Sequence, residues 1–80
     1  DEVPQLAEAA AAVFDRWQDT LATGLANAGI PDARAARLAR LIVAAVEGAT
    51  LLCRAHRDVR PLDDVVAELK ELTRAAVRDR

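Results

Sequence analysis

Between Leu38 and Cys53 the chain carries two charges, Arg40 and Glu47, and every other side chain is apolar or small. Arg40, Glu47 and Arg54 fall seven residues apart, so on a helix they stack into one narrow stripe and leave the rest of the circumference apolar. A helix apolar on nearly all sides must be covered on nearly all sides, and two amphipathic neighbours with one apolar face each do not easily do that alone. Length sharpens the problem. The 80 residues make one domain, 1–80, and a chain of that size buries only about 60–65% of its unfolded surface. Small domains usually recover the missing stability with disulfides, metals or self-association. Cys53 is the only cysteine, and it stands three residues from the only histidine, His56. That excludes an internal disulfide and offers too few ligands for a closed zinc site. Self-association is the remaining common route.

The flanking segments read as amphipathic helices. Leu6, Ala10, Val13, Phe14, Trp17, Leu21, Leu25 and Ala28 recur at three- and four-residue steps, which predicts a helix from Pro4 to about Ala28 with one apolar face. Gly29 is placed to cap it and Pro31 to open the next helix, so the connection is short and the neighbours antiparallel. The second helix is predicted over about Asp32 to Arg57. The third runs from Pro61 to Val77, with Leu62, Val65, Val66, Leu69, Leu72 and Ala76 in its stripe. Its first turn holds Asp63 and Asp64 and its last Arg74 and Arg78, an arrangement that complements the helix dipole. Apolar residues are 52% of the chain, mostly Ala, Leu and Val, with one Trp, one Phe, no Tyr and no Met. That composition favours helices over strands. The predicted fold is all-α, an antiparallel three-helix unit.

Several functions are disfavoured. The net charge of −2 gives no basic field to attract nucleic acid. The ridge of Arg34, Arg37 and Arg40 has no aromatic interleaving and reads as a solvated face. No stretch reads as a signal peptide or a membrane span, so a cytoplasmic setting without membrane contact is expected. There is no Ser or Tyr, and the carboxylates are scattered. Nothing resembles a catalytic constellation, a metal site or a cofactor motif. The chain is not expected to be an enzyme.

Within the second helix, Ile42, Val46, Ala49 and Cys53 project to one side as a bulky core face. Ala44, Gly48 and Ala55 project to the opposite side, flanked by Leu41 and Leu51. Small residues there permit close approach of another backbone; the plainer reading of Gly48 is a tolerated weak spot in a long helix. Glu47 falls in the polar stripe, where it stays wet or pairs with a neighbouring guanidinium. Cys53 reads as a small buried hydrophobe rather than a redox sensor.

Phe14-x-x-Trp17-x-x-x-Leu21, then Ala28–Pro31, then the long helix with Val46-Glu47-Gly48-Ala49 and Arg54-Ala55, then Pro61-Leu62, form a pattern spanning about Phe14 to Leu72. In order and spacing it resembles the C-terminal regulatory domain of TetR-type transcriptional regulators, in particular the YxaF/LmrA-like subgroup. The resemblance implies a homodimer in which the last two helices form a four-helix bundle with a symmetry mate. It would put Leu41, Ala44, Gly48, Leu51, Leu52 and Ala55 of the second helix, with Leu62, Val65, Leu69 and Leu72 of the third, at or near the two-fold interface. It also implies a pocket for a small apolar effector whose occupancy releases operator DNA. Phe14, Trp17 and Leu21 are candidates for its wall, though an aromatic stripe is ordinarily core. His56 is a further candidate, the ordinary reading being a partner for the terminal carbonyls of its helix. The DNA-reading helix-turn-helix is absent from this chain, which is expected to be the C-terminal piece of a longer repressor and to reach operator DNA only through that missing part. A stand-alone helical self-association module and a small bundle-type carrier of apolar ligands are the alternatives.

Overall fold

A computed structural model describes residues 2–79, which form α1 (Glu2–Asn27), α2 (Asp32–His56) and α3 (Arg60–Arg78). Pro4 lies in the first turn of α1, where its missing N–H has no carbonyl to serve. The chain turns out of α1 at Gly29, whose φ of 101° puts it in the left-handed region where a β-carbon is strained. That turn of the backbone lets the Gly29 N–H donate to the Ala26 carbonyl at 2.9 Å and the Ile30 N–H to the Leu25 carbonyl at 3.2 Å. The paired bonds satisfy carbonyls the helix would otherwise orphan, and the side chains of Leu25 and Ile30 are brought together in the core. Pro31 then precedes the first turn of α2, as the sequence leads one to expect.

The end of α2 solves the same problem without glycine. Arg57 takes the left-handed position, with φ 50° and ψ 48°, so the helix stops at His56, one residue before the expected end. The Asp58 N–H reaches back to the Cys53 carbonyl at 3.1 Å. A left-handed non-glycine residue costs roughly 1–2 kcal/mol. Glycine's greater unfolded-state freedom returns part of that. Arg57→Gly is therefore expected to stabilise the protein by up to about 1 kcal/mol, measured as an increase in the urea midpoint.

Asp58 then starts α3 from outside it. Its carboxylate accepts the Arg60 backbone N–H at 3.0 Å and the Arg60 Nε–H at 2.7 Å, and pairs with Nη2 at 2.6 Å. The helix accordingly begins at Arg60, with Pro61 second, and runs one residue past the expected Val77. Hydrogen bonds from the Arg60 guanidinium and backbone hold the Asp58 carboxyl below the usual carboxylate range. A lowered carboxylate contributes stability above its unfolded pKa and loses it as pH falls through the folded value. Asp58→Asn is expected to lower Tm slightly at pH 7. The gap to the native chain should close as pH falls below the carboxylate range.

The three helices run antiparallel, but not as a closed bundle. The Cα atoms span 44 × 31 × 12 Å, and α2 packs against both neighbours while α1 and α3 barely meet. One shallow layer of helices results. Its core lies at one end, where the C-terminal part of α1, the start of α2 and the end of α3 converge. Leu25, Ile30, Ala35, Leu38, Ala39 and Ala76 are buried there, packed by half-buried Leu21, Ala22, Ala26, Ile42 and Val77. Ile30, 2% exposed, is the bulkiest of the nearly sealed side chains among the described residues. Further along α2, Ala49 is also buried. The first half of α1 runs beyond this core, with Val3 and Leu6 exposed. Among the described residues no helix is long and apolar enough to cross a membrane.

Candidate functional site

A single layer leaves α2 open on two opposite sides, and the sequence has filled both with apolar residues. On the first, Leu41, Ala44, Gly48, Leu51 and Ala55 follow one another at alternating steps of three and four. That is the spacing of a seam between two helices. Leu41 is 46% exposed, Leu51 64% and the adjoining Leu52 49%, while Ala44 and Ala55 are also exposed. A β-carbon added at Gly48 would meet nothing within 4 Å. No neighbour within the chain demands glycine here.

About half a turn round α2 from this row, Ile42 and Val46 form the floor of two adjoining grooves. Toward α3 the groove holds about 340 Å³ and is completed by Val66, Leu69, Lys70, Thr73 and Arg74. Toward α1 it holds about 180 Å³, between Trp17, Leu21, Val43 and Glu47. Around the edge of α1 a third hollow, about 280 Å³, is lined by Phe14, Gln18, Arg40, Val43, Ala44 and Glu47.

The expected interface residues thus divide. The α2 members lie on the open row, with Gly48 half-buried, whereas Leu62, Val65 and Leu69 of α3 are half-buried and Leu72 lies exposed. The effector candidates divide too. Phe14 and Trp17 meet edge-on, ring centroids 5.4 Å apart at 78°, and Trp17 shares a groove with Leu21. His56 is exposed at the far end of α2 and lines none of these three hollows. It stands nine residues past Glu47, the last α2 residue to line any of them, roughly 14 Å of helix rise.

Trp17 corrects the ordinary reading of an aromatic stripe. Trp17 is 48% exposed, since α1 packs against α2 and barely meets α3, which leaves the residue at the rim of a groove. Removing a core indole would cost about 3–5 kcal/mol. A half-exposed one forfeits less, and Trp17→Ala is expected to cost about 1–2 kcal/mol in thermal or urea unfolding. The bulky face of α2 is corrected in the same way: Ala49 is sealed, but Ile42, Val46 and Cys53 are half-buried groove linings.

Polar groups sit at the margins. Arg40 does not pair with Glu47; its Nε–H donates to Gln18 Oε1 at 3.1 Å, and Gln18 Nε2 donates to the Phe14 carbonyl at 3.3 Å, tying α2 to α1. Thr50 Oγ returns its proton to the Val46 carbonyl at 2.9 Å, which accommodates a hydroxyl in an apolar helix. Lys70 and Arg74 were not singled out together by sequence reasoning, which read Arg74 only as a complement to the helix dipole. Their signal is the four-residue step Val66–Lys70–Arg74, which runs up one side of α3 beside its apolar stripe. No cluster of three or more His, Cys, Asp or Glu among the described residues could hold a metal ion.

Residues 1–68 match the family described as "Transcriptional regulator LmrA/YxaF-like, C-terminal domain". Two curated relatives, from two strains of Mycobacterium tuberculosis and both described as uncharacterized HTH-type transcriptional regulators, are 48% identical over 71 residues. The match covers 89% of this chain and spans 37% of the length of each relative. No solved structure matches the chain. An all-α fold, the order of Trp17, Gly29-Ile30-Pro31, Glu47-Gly48 and Pro61-Leu62, and a family match over most of the sequence lead to one assignment: the chain belongs to the LmrA/YxaF-like C-terminal domains of TetR-family transcriptional regulators, which are not enzymes.

Proposed function

We propose that this chain is the dimerisation and effector-sensing region of an intracellular repressor, acting on operator DNA through a helix-turn-helix elsewhere in its parent. The observation that carries the reading is the uncovered row Leu41, Ala44, Gly48, Leu51 and Ala55, with Leu52 beside it. A second copy is the occupant it suits. Two copies of α2 crossing antiparallel at Gly48 would set Leu41 of each row against Ala55 of the other, and Leu51 and Leu52 about Ala44, bulky against small. Leu72, exposed on α3, would flank that crossing and extend it to a four-helix bundle, whereas Leu69 lines the groove on the other side of α2. An interface of this kind is isologous, so every favourable contact is made twice.

Effector sensing rests on the opposite side of the same helix. Ligand sites are concave, mostly apolar and of about 300–1,000 Å³, and the groove over Ile42 and Val46 has that character. Because groove and row are two faces of α2, a ligand that shifts or stiffens this helix alters the crossing with its mate. A changed crossing moves whatever each copy carries, which is how occupancy would reach two DNA-reading heads. Sedimentation equilibrium of the chain across the micromolar range tests the first half of the proposal. A concentration-dependent dimer is expected; a monomer throughout removes it.

A further inference from the structure

We propose that the groove between α2 and α3 takes a single-chain amphiphile with an anionic head, its head on Lys70 and Arg74 and its tail running toward Trp17. This deepens the effector-sensing reading above and rests on it. The argument is one of polarity along the groove. Its floor, Ile42 and Val46, is shared by the larger hollow toward α3 and the smaller one toward α1, so the two hollows adjoin over the same apolar residues of α2. Its two ends differ. At the α3 end the lining includes two cations, Lys70 and Arg74, one helical turn apart and both exposed, and among the described residues neither enters an ion pair. At the α1 end the lining includes the half-buried carboxylate of Glu47 beside the indole of Trp17.

A neutral apolar ligand would use the floor and leave both charged ends idle. A cationic one would meet Lys70 and Arg74 at the wider end. An anionic head bound there gains two charge-assisted partners, one of them a guanidinium able to hold a carboxylate through two parallel N–H donors. Glu47 at the other end repels a reversed ligand, so one orientation is selected. Neighbouring helix axes lie about 8–10 Å apart. A chain of roughly ten carbons laid from the α3 rim over Ile42 and Val46 would therefore pass the axis of α2 and end in the hollow that Trp17 lines, short of α1 itself.

The chain's one tryptophan is the reporter. Decanoate, decanol and decyltrimethylammonium, each below its micelle-forming concentration, are titrated against the full chain while Trp17 fluorescence is followed. Decanoate is expected to bind at least tenfold more tightly than decanol, and the ammonium compound most weakly. A bromine on the terminal carbon of decanoate is expected to quench Trp17. The Lys70→Gln, Arg74→Gln double variant, both positions being exposed, is expected to lose at least tenfold for decanoate and less than twofold for decanol. Decanol binding as tightly as decanoate overturns the anionic assignment and leaves an apolar effector site standing. Equal losses for both ligands in the double variant, or tight decanoate binding without quenching by the brominated tail, overturn it as well. If none of the three binds, the groove is not an effector site and the reading beneath this inference falls with it.

Discussion

Ile30→Ala is expected to lower the unfolding free energy by about 3 kcal/mol. Ile30 does two things at once. It is the bulkiest nearly sealed side chain among the described residues, and its N–H closes the end of α1 on the Leu25 carbonyl. Alanine keeps the hydrogen bond and empties the space between Leu25 and its core neighbours, so the loss measures packing rather than capping. The layer has little spare stability to absorb it. A domain of 80 residues is typically stable by roughly 4–12 kcal/mol, and a loss of about 3 kcal/mol would drop Tm by roughly 12–24 °C. Urea unfolding followed by circular dichroism, at one fixed protein concentration because association adds to apparent stability, gives the value. Ile30→Val should cost only about 1 kcal/mol. If alanine costs no more than valine, the end of the layer is not where the core lies.

Gly48→Leu is expected to weaken self-association at least a hundredfold, which corresponds to roughly 2.7 kcal/mol. Gly48 stands midway along the open row of α2, where two copies would come closest, and the two-fold repeats the obstruction in both. Within one chain the same substitution should do no harm. A β-carbon at this position meets nothing within 4 Å, and glycine in a helix interior is about 1 kcal/mol less favourable than alanine. Gly48→Ala should therefore raise the stability of the separate protomer by roughly 0.5–1 kcal/mol. The pair of variants separates local propensity from contact between copies. Sedimentation equilibrium that gives the same dimer constant for glycine and leucine would show that the row faces something other than a second copy.

Helix ends were largely legible in the sequence because caps are local. Gly29 followed by Pro31 can do little but stop one helix and start another, and Pro61 can stand only in a first turn. Arg57 shows the limit of that logic: a left-handed arginine has no sequence signature, and the residues around it decide that the chain turns there. The family was legible for a related reason, since its pattern is an ordered string of short signals along one chain. The groove was only half legible. Trp17 and Leu21 were marked by periodicity, but Lys70 and Arg74 belong to a different helix, and no spacing within α3 says that Ile42 and Val46 lie opposite them. His56 and Trp17 made the complementary case: each was a candidate by itself, and the length of α2 keeps them apart.

What the sequence determined by itself is that this chain is helical, that it turns at Gly29 and before Pro61, and that α2 carries more apolar surface than two amphipathic neighbours easily cover. Periodicity and capping are short-range, so the residues that express them lie within a turn or two of one another. Only the tertiary structure decided that the helices form a layer with α2 in the middle rather than a closed bundle. The sealed positions of α2, Ala35, Leu38, Ala39 and Ala49, let both neighbours settle on adjoining sides of one helix. That arrangement leaves Trp17 half in solvent, opens a groove on one side of α2, and presents the row through Gly48 on the other.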